Sequence, residues 1–330
     1  MRAVIQRTHA SWTDAVVETV NAPAAESGHV VIDVEAASLN FADLLMMEGK
    51  YQHKAPLPYV PGRDAAGIVR AVGASVENFR PGDRVIAMLN YGAFAQQASA
   101  PAAACRHLPN DLSLEMAAAC GTGIPTIVAA LELRARLQPR EWVLISGAAG
   151  GMGSLAVSYA QQMGARCAAI VSSAEKEAMV RELGAELVVR SDKLPDAKDG
   201  LRSALQQNGV SQVHAAIDFV GGDLFDAMLR CLAPEGRLVI VGFASGRIPT
   251  VAANYLLLKD ISVIGSSIIR LCSDGSYTFD RLCDAAYANL AAGRLRTAID
   301  GRFDLKDFHA AAQRLSDRRV MGKVILTPQL

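Results

Sequence analysis

Hydrophobic residues follow two different patterns along this chain. Up to about residue 120, short apolar segments such as HVVIDVEAAS, AAGIVRAVG and DRVIAM are separated by turn signals such as PGD, a pattern typical of β-strands. From about residue 125 to 265, apolar strands alternate with helical segments. This alternation favours an α/β region with a parallel sheet that is covered by helices on both faces.

The segments of the second region can be placed individually. WVLIS, CAAIV, ELVV, HAAIDF, RLVIVGF and ISVIG are the expected strands, and helices are expected at about 151–163, 175–183 and 223–232. The tail from about residue 266 contains the helical FDRLCDAAYANLAAG and a last strand, GKVILT. We expect the tail to return to the first region, because a compact fold usually brings its termini close together.

A glycine cluster lies between the first strand and the first helix of this region, in LISGAAGGMGSLAVSYAQQMGA. The candidate contacts to a pyrophosphate are Gly147, Ala149, Gly150, Gly151, Met152 and Gly153. Apolar residues of the helix form one predicted buried stripe: Met152, Leu155, Ala156, Tyr159, Ala160 and Met163. The strand–turn–helix–strand context favours a dinucleotide site at a helix N-terminus over a tight turn, which needs fewer glycines. The sequence therefore predicts a doubly wound Rossmann domain at 123–265 and a mainly β domain formed by 1–122 and 266–330.

The second strand of this domain indicates which dinucleotide is bound. An NAD-selective site needs an acidic residue about 20 residues after the glycines. Ser172 and Ser173 occupy that place, and Lys176 lies one helical turn further. Hydroxyls and a cation suit a 2′-phosphate, whereas Glu175 is expected to complement the helix dipole. The predicted cofactor is NADPH. The alternative interpretation of Lys176 is a solvated surface lysine with no cofactor contact.

Composition argues against several classes of protein. Lys+Arg and Asp+Glu both number 33, so the formal net charge is zero and a nucleic-acid binder is disfavoured. The six cysteines (Cys105, Cys120, Cys167, Cys231, Cys272 and Cys283) are scattered and are expected to be reduced core residues. Because the N-terminus lacks a signal-peptide core and no run approaches about 18 apolar residues, we expect a soluble cytoplasmic protein with no membrane contact.

Several ordered motifs resemble the zinc-free quinone oxidoreductase branch of the medium-chain dehydrogenase/reductase superfamily. They are SLNFADLLMMEGKY, PYVPGRDAAGIVRAVGASVENFRPGDRV, SGAAGGMG, DFVGGDLFDAMLRCLAPEGRLVIVGFASG and RRVMGKVIL. The resemblance implies that the mainly β domain is a GroES-like catalytic domain. It also implies hydride transfer from NADPH to quinones or other conjugated carbonyl compounds.

The residues at the zinc positions differ from those of the superfamily's zinc enzymes. Those enzymes carry Gly-His-Glu where this chain has Gly62-Arg63-Asp64, and a ligand cysteine at the start of the segment that begins here with Asn40. The cysteines also lack the clustering of a structural zinc lobe. No metal is therefore expected.

The resemblance also implies roles for individual residues. Asn40 would donate a hydrogen bond to a substrate carbonyl and contact the nicotinamide, and Tyr51 would flank the ring, either as a proton donor or as an aromatic wall. Thr126 would contact the nicotinamide or act as a helix N-cap. Asp43 is expected to fix its loop, and Asp64 to be structural or paired with Arg63.

Further cofactor contacts are expected at strand ends. The residues at these strand ends are Val220 to Gly222, Gly242, Phe243, Ala244, Ser266 and Ser267. The resemblance alone implies two more contacts, Gly322 and Lys323, as late backbone or phosphate contacts. Arg190 stands where many family members have an asparagine–tyrosine pair, and it could supply charge to the 2′-phosphate. His53 is expected to be a solvated loop histidine.

Three functions remain open from the sequence. The leading hypothesis is an NADPH-dependent, metal-free quinone reductase, and the alternatives are an enoyl-thioester or enal reductase and a non-catalytic NADPH-binding protein. The partner is a small-molecule quinone or enone. A homodimer is also expected, because the strand ISVIG is apolar enough to pair with its copy.

Overall fold

The computed structural model describes residues 1–273 and 277–329. The chain forms two compact units. The first consists of Met1–Thr122 and Ala298–Leu330, and the second of Gly123–Thr297. The predicted boundary at residue 265 differs from this division. Residues 266–297 belong to the second unit because the helix over Tyr277–Ala291 packs there against the helix over Gly123–Val128.

Strands and helices are numbered in chain order. The strands are β1 (Arg2–Ile5), β2 (Val16–Thr19), β3 (His29–Leu39), β4 (Asp64–Val72), β5 (Arg84–Met88), β6 (Gln97–Pro101), β7 (Cys105–His107), β8 (Trp142–Ile145), β9 (Arg166–Val171), β10 (Leu187–Arg190), β11 (Val213–Asp218), β12 (Leu232–Ile240), β13 (Ser262–Gly265), β14 (Ile299–Phe303) and β15 (Lys323–Leu326). The helices are α1 (Phe41–Met47), α2 (Leu114–Cys120), α3 (Gly123–Val128), α4 (Gly151–Gln162), α5 (Ala174–Glu182), α6 (Ala197–Gln207), α7 (Gly222–Arg230), α8 (Ala253–Lys259), α9 (Ile268–Ser273), α10 (Tyr277–Ala291) and α11 (Phe308–Ser316).

The first unit is built on a mostly antiparallel sheet in the order β14-β15-β3-β4-β5-β7, with β6 paired to β3. Its core includes the fully buried side chains of Ile32, Phe94 and Phe308. The register places Ser38 on β3 opposite Asp64 on β4. On the other side of β3, Leu39 lies opposite Val324 on β15. Residues from three strands distant in sequence therefore meet at one end of this sheet.

The second unit contains a six-stranded parallel sheet in the order β10-β9-β8-β11-β12-β13. This is the doubly wound Rossmann order, and it confirms the predicted α/β fold class. The strand order reverses between β8 and β11, where Ile145 lies opposite Ile217. In such sheets ligands bind beyond the carboxyl ends of the strands at this switch point. The glycine cluster begins there, directly after β8.

Helix α4 is more deeply buried than the predicted single stripe. Leu155, Ala156, Tyr159 and Ala160 are buried as expected, but Met152 and Met163 are only half-buried. Gly153, Ser154, Val157 and Ser158 are buried as well. The helix contacts β8 and β9 on one side and α3 on another, so two faces rather than one are covered.

One helical run meets the length and composition of a membrane span, contrary to the sequence expectation. The run Leu114–Arg134 comprises α2, α3 and a π-helical segment over Ala129–Arg134. Of its most apolar stretch of 18 residues, 83% is buried inside the protein. It therefore has the properties of a core helix. Among the cysteines whose side chains are described, Cys105, Cys120, Cys167, Cys231 and Cys283 are free and buried, and the side chain of Cys272 lies outside the described part.

Candidate functional site

The glycine turn follows β8 and leads into α4. Gly147 adopts φ +57°, a conformation that favours glycine. A Cβ at Gly153 would lie 2.2 Å from the Gly147 carbonyl oxygen, so this glycine is needed for the close packing of helix on turn. At Gly150, the N-cap of α4, a Cβ would meet only that same oxygen, at 3.3 Å. A Cβ at 150 would therefore need only a small adjustment of the turn, and glycine at this position leaves the backbone open to close approach by a ligand.

The first turn of α4 provides the donors for an anion. Gly151, Met152 and Gly153 are the first three residues of the helix, and such backbone N–H groups have no partner within the helix. Ala149 is 3% exposed and lies inside the turn. The donors and the helix dipole fit a pyrophosphate. The pyrophosphate contact of these residues stays a prediction.

Two buried polar residues that the sequence analysis missed tie the turn to the neighbouring strand. The Ser146 hydroxyl donates to Asp218 Oδ1 at 2.6 Å, and the Phe219 N–H donates to Ser146 Oγ at 2.9 Å. The Asp218 carboxylate also accepts from the N–H groups of Val220 and Gly221, each at 3.0 Å. Asp218 thus fixes the loop after β11. A polar residue at the carboxyl end of each of two central strands was the available sequence signal.

The loops after β11 and β12 are joined by backbone hydrogen bonds. The Gly242 N–H donates to the Asp218 carbonyl at 3.3 Å, and the Ala244 N–H donates to the Phe219 carbonyl at 3.1 Å. A Cβ at Gly147 would lie 3.1 Å from Val220 Cγ2, and one at Gly221 would lie 3.2 Å from Phe243 Cδ1. The structure therefore brings the predicted contacts at 220–222 and 242–244 to the same edge of the sheet as the glycine turn.

The end of β9 carries the residues predicted to select the cofactor. Ser172 is exposed directly after the strand, and Lys176 Nζ donates to its hydroxyl at 3.2 Å. Ser173 is the N-cap of α5 and accepts from the Lys176 N–H at 3.3 Å. A hydrogen bond from the backbone and one from Ser173 hold the pKa of Glu175 below its usual value. A hydroxyl and an ammonium group are thus held together at this position.

Arg190 differs from its predicted role as a phosphate contact. Its Nε and Nη2 donate to the two carboxylate oxygens of Asp192, at 2.7 and 2.5 Å. Its Nη1 also lies 4.0 Å from Glu177 Oε2. The side chain is only 16% exposed. Two carboxylates already surround this guanidinium, and a bidentate pair is the strongest geometry it can form.

Thr126, Ser266 and Ser267 also belong to the second unit. Thr126 is the fourth residue of α3 and is buried, so it does not open the helix as an N-cap. Ser266 follows β13, and its N–H donates to the Ile240 carbonyl at 3.0 Å. Ser267 is exposed and precedes α9. Both serines lie at the carboxyl edge of the sheet, as predicted.

In the first unit, Asp64 is the centre of a buried polar cluster. The side chain is fully buried. Its Oδ2 accepts from the Ser38 hydroxyl at 2.7 Å and from Asn40 Nδ2 at 2.9 Å. Its Oδ1 accepts from the Thr122 N–H at 2.8 Å and from the Thr122 hydroxyl. We call Ser38, Asn40, Asp64, Thr122 and Lys323 the Asp64 network.

Lys323 completes the Asp64 network. It is only 3% exposed, and its Nζ donates to Asn40 Oδ1. The Lys323 ammonium is thus engaged by Asn40, whereas the prediction was a late backbone or phosphate contact to the cofactor. At Gly322, which carried the same prediction, a Cβ would lie 2.1 Å from the Ala298 carbonyl oxygen. Gly322 is therefore required by close packing within the first unit.

The Asn40 amide is fully engaged in this network. The Lys323 ammonium can only donate and the Asp64 carboxylate accepts, so the amide oxygen has to face Lys323 and the amide nitrogen has to face Asp64. One amide hydrogen points to Asp64, and the other points to the Ser38 side-chain and backbone oxygens at 3.2 and 3.3 Å. The predicted donation to a substrate carbonyl would require one of these bonds to break.

Tyr51 pairs with Arg63 rather than standing alone. Arg63 Nη1 donates to the Tyr51 hydroxyl oxygen at 3.0 Å, and its Nε donates to the Leu89 carbonyl at 3.4 Å. Asp64 was expected to be structural or paired with Arg63; its hydrogen bonds go to Ser38, Asn40 and Thr122, which is the structural alternative. His53 is exposed and stacks on Tyr91 with ring centroids 6.4 Å apart.

Asp43 holds the start of α1, as predicted. Its Oδ2 accepts from the Asn40 N–H at 2.7 Å. Burial raises the pKa of Asp43 to about 7, although the Asn40 hydrogen bond and the charge of Arg63 oppose the shift. Asp43 therefore binds a proton in the folded protein at pH values where a free aspartate is ionised.

This raised pKa gives a testable pH dependence. The folded state holds one proton more than the unfolded state between about pH 4 and pH 7, so stability falls as the pH rises through this window. The slope from this one group approaches about 1.4 kcal/mol per pH unit. Asp43→Asn stays neutral and keeps an acceptor for Asn40, so its unfolding free energy should fall less steeply. Urea unfolding of both proteins across this range measures the difference, and equal slopes would contradict the assignment.

No group of three or more His, Cys, Asp or Glu side chains arranged to hold a metal ion occurs within residues 1–273 and 277–329. At the two positions where the superfamily's zinc enzymes carry ligands, the side chains of Asn40 and Arg63 are occupied by the contacts described above.

Two family models match the chain. An alcohol dehydrogenase GroES-like domain matches residues 26–126, and a zinc-binding dehydrogenase model matches residues 151–285. The first match confirms the expected GroES-like fold for the mainly β unit.

Named relatives cover nearly the full length. Quinone oxidoreductase-like protein 2 of Rattus norvegicus is 35% identical over 301 residues, or 90% of this chain and 84% of that protein. Acryloyl-coenzyme A reductase of Metallosphaera sedula is 30% identical over 361 residues, or 99% of this chain and 100% of that protein. A solved structure of a mycobacterial protein complexed with NADPH matches with a TM-score of 0.91 and 28% identity, over 99% of this chain and 100% of that one.

Proposed function

We propose that this chain, which belongs to the zinc-free quinone oxidoreductase branch of the medium-chain dehydrogenase/reductase superfamily, catalyses NADPH-dependent reduction of quinones or other conjugated carbonyl compounds. The relatives are named as oxidoreductases and reductases, so the chain is an oxidoreductase. This disfavours the non-catalytic alternative. A nicotinamide cofactor follows from the same family.

The main observation in favour of NADPH as the cofactor is the pairing of Lys176 with Ser172 at the end of β9. An ammonium group 3.2 Å from a hydroxyl stands where NAD-selective sites carry an acidic residue. A 2′-phosphate would gain charge-assisted hydrogen bonds from these groups. Ser173 contributes as the N-cap that holds Lys176 in place.

The remaining residues of the second unit would hold the rest of the cofactor. The first turn of α4 would bind the pyrophosphate, and the loops after β11, β12 and β13 would contact the riboses and the nicotinamide, as would Thr126. When bound, NADPH supplies a hydride, so that one quinone, one NADPH and one proton yield one hydroquinone and NADP⁺.

On the first unit, the chain's contribution to reduction is a hydrogen-bond donor to the acceptor oxygen. Reduction places negative charge on this oxygen, and a donor held in position lowers the free energy of that charge. Tyr51 is the residue we assign to this role, because it is a half-buried residue with a hydroxyl that can donate, and the Asn40 amide is engaged elsewhere. The final protons of a hydroquinone can come from solvent.

The similarity to acryloyl-coenzyme A reductase supports a second candidate, reduction of an enoyl thioester. Steady-state rates with saturating NADPH against a benzoquinone, a naphthoquinone, an enal and acryloyl-CoA distinguish the two. We expect the quinones to give the highest kcat/KM. A kcat/KM for acryloyl-CoA above every quinone would favour the second candidate, and no turnover with any of them would refute the proposal.

We also propose that the protein is a homodimer through β13. This strand is the edge of the six-stranded sheet, and an unpaired edge is prone to pair with a copy. Helix α8 lies directly before this strand, and its Leu257 and Leu258 are 81% and 78% exposed. Ile248, in the preceding loop, is 71% exposed. Apolar exposure of this kind marks interfaces.

Light scattering should give twice the mass of the chain, and Leu257→Glu/Leu258→Glu should give a monomer. A monomeric wild type would contradict the proposal.

A further inference from the structure

Arg63 is a buried cation with directed contacts. It is 8% exposed, and its guanidinium carbon lies 5.5 Å from the centre of the Tyr51 ring. Besides the bond from Nε to the Leu89 carbonyl, the Arg63 carbonyl accepts from the Leu89 N–H at 2.6 Å. Side chain and backbone are therefore both anchored to Leu89. The guanidinium has a defined orientation toward Tyr51.

The charge of Arg63 is maintained within the first unit. Burial alone would lower the pKa of Arg63, but the contact with Tyr51, the negative charge of Asp64 and, above about pH 7, that of Asp43 together raise it. The guanidinium stays protonated at every pH where the protein is folded. It has only N–H donors and no acceptor.

Because Arg63 can only donate hydrogen bonds, it determines where the hydroxyl hydrogen of Tyr51 can point. A phenol hydroxyl has one hydrogen and can accept as well as donate. Because Arg63 donates to the Tyr51 oxygen at 3.0 Å, the phenol hydrogen has to point to a different acceptor. A hydrogen bond from a cation also polarises the phenol and makes its own hydrogen a stronger donor.

We propose that Arg63 is a positioning residue for reduction: it holds the Tyr51 hydroxyl with its hydrogen directed to the carbonyl oxygen of a quinone or enone. This inference rests on the proposed function and deepens it. Arg63 acts through Tyr51, and the Tyr51 hydroxyl touches the acceptor. The Asn40 amide does not compete for this role, since Asp64, Ser38 and Lys323 occupy it.

Four variants test the pair: Tyr51→Phe, Arg63→Met, Arg63→Lys and Tyr51→Phe/Arg63→Met. With saturating NADPH and a quinone, Tyr51→Phe should lower kcat by about 100-fold, the size expected for loss of one oxyanion donor. Arg63→Met should lower kcat by about tenfold or more, and Arg63→Lys by less, because lysine keeps a single-point donor. The Kd for NADPH should stay within about threefold in all four, since no cofactor contact changes.

The double variant separates positioning from a merely structural role. If Arg63 acts through Tyr51, the double variant should be no more than about threefold slower than Tyr51→Phe alone. Losses that multiply, an unchanged kcat in Arg63→Met, or a loss confined to NADPH affinity would each overturn the proposal. Should Arg63→Met fail to fold, a kcat in Arg63→Lys equal to that of wild type would overturn it as well.

A measurement without turnover keeps this inference distinct from the proposed function. In protein labelled with 3-fluorotyrosine, Tyr51→Phe identifies the fluorine resonance of residue 51. Arg63→Met should shift that resonance and leave the others in place, and an unmoved resonance would contradict the contact. If the wild type reduced no quinone, the proposed function would fail even where this shift were observed.

Discussion

Replacing Asp64 with alanine is expected to lower the free energy of unfolding by about 3–5 kcal/mol, the cost of breaking a buried charged group from its partners. The carboxylate is fully buried and accepts hydrogen bonds from Ser38, Asn40 and Thr122. Its loss would leave these donors unsatisfied and would remove a negative charge near the buried Lys323. Urea unfolding of wild type and Asp64→Ala measures the change.

Asp33 provides a matched control on the same sheet. It lies on β3 and pairs with Arg70 at 3.3 Å, with side chains 34% and 59% exposed. Exposed ion pairs contribute about 0–1 kcal/mol, so Asp33→Ala should change stability far less. Equal losses in Asp33→Ala and Asp64→Ala would contradict the importance we assign to the buried network.

The second large effect is expected at Gly153. An alanine there would place Cβ 2.2 Å from the Gly147 carbonyl oxygen and 2.7 Å from Ala148 Cα, so the turn has to move. Overpacking of this kind costs about 1–3 kcal/mol. Displaced N–H groups would lose charge-assisted hydrogen bonds worth about 1.5–3 kcal/mol each, so NADPH binding should weaken by about tenfold or more. Thermal unfolding and calorimetric titration with NADPH measure the two effects.

Gly150→Ala is the matched variant in the same turn. Gly150 has φ −75° and ψ 172°, which alanine adopts readily, and its Cβ would meet only the Gly147 oxygen. We expect near wild-type stability with weakened NADPH binding, because the methyl group would occupy the space of the approaching phosphate. If Gly150→Ala bound NADPH like wild type, the ligand role assigned to Gly150 would be wrong.

The sequence predicted the Rossmann unit well because its signals are local. Each strand of this unit is a short apolar run followed by a helical pattern, and the observed strand order follows from the usual handedness of such units. The predicted boundary at residue 265 was less accurate. Helix α10 packs on α3, and no local pattern reports which neighbour a helix chooses.

The polar clusters were much less predictable. Lys323 and Asn40 are 283 residues apart and meet because β15, which begins at Lys323, pairs with the end of β3, which Asn40 follows. The resemblance implied cofactor contacts for Asn40 and Lys323, but not their mutual hydrogen bond, which depends on strand register. Similarly, the pairing of Arg190 with Asp192 depends on side-chain geometry within the turn after β10.

The cofactor preference is the most direct test of the central claim that this protein is an NADPH-dependent quinone reductase. The measurement is kcat/KM for NADPH and for NADH with one quinone acceptor at saturation, followed by loss of absorbance of the reduced nicotinamide. Because hydrogen bonds to a charged group contribute about 1.5–3 kcal/mol, we predict a preference for NADPH of about tenfold or more. Equal values for the two cofactors, or no quinone-dependent oxidation of either, would contradict the account.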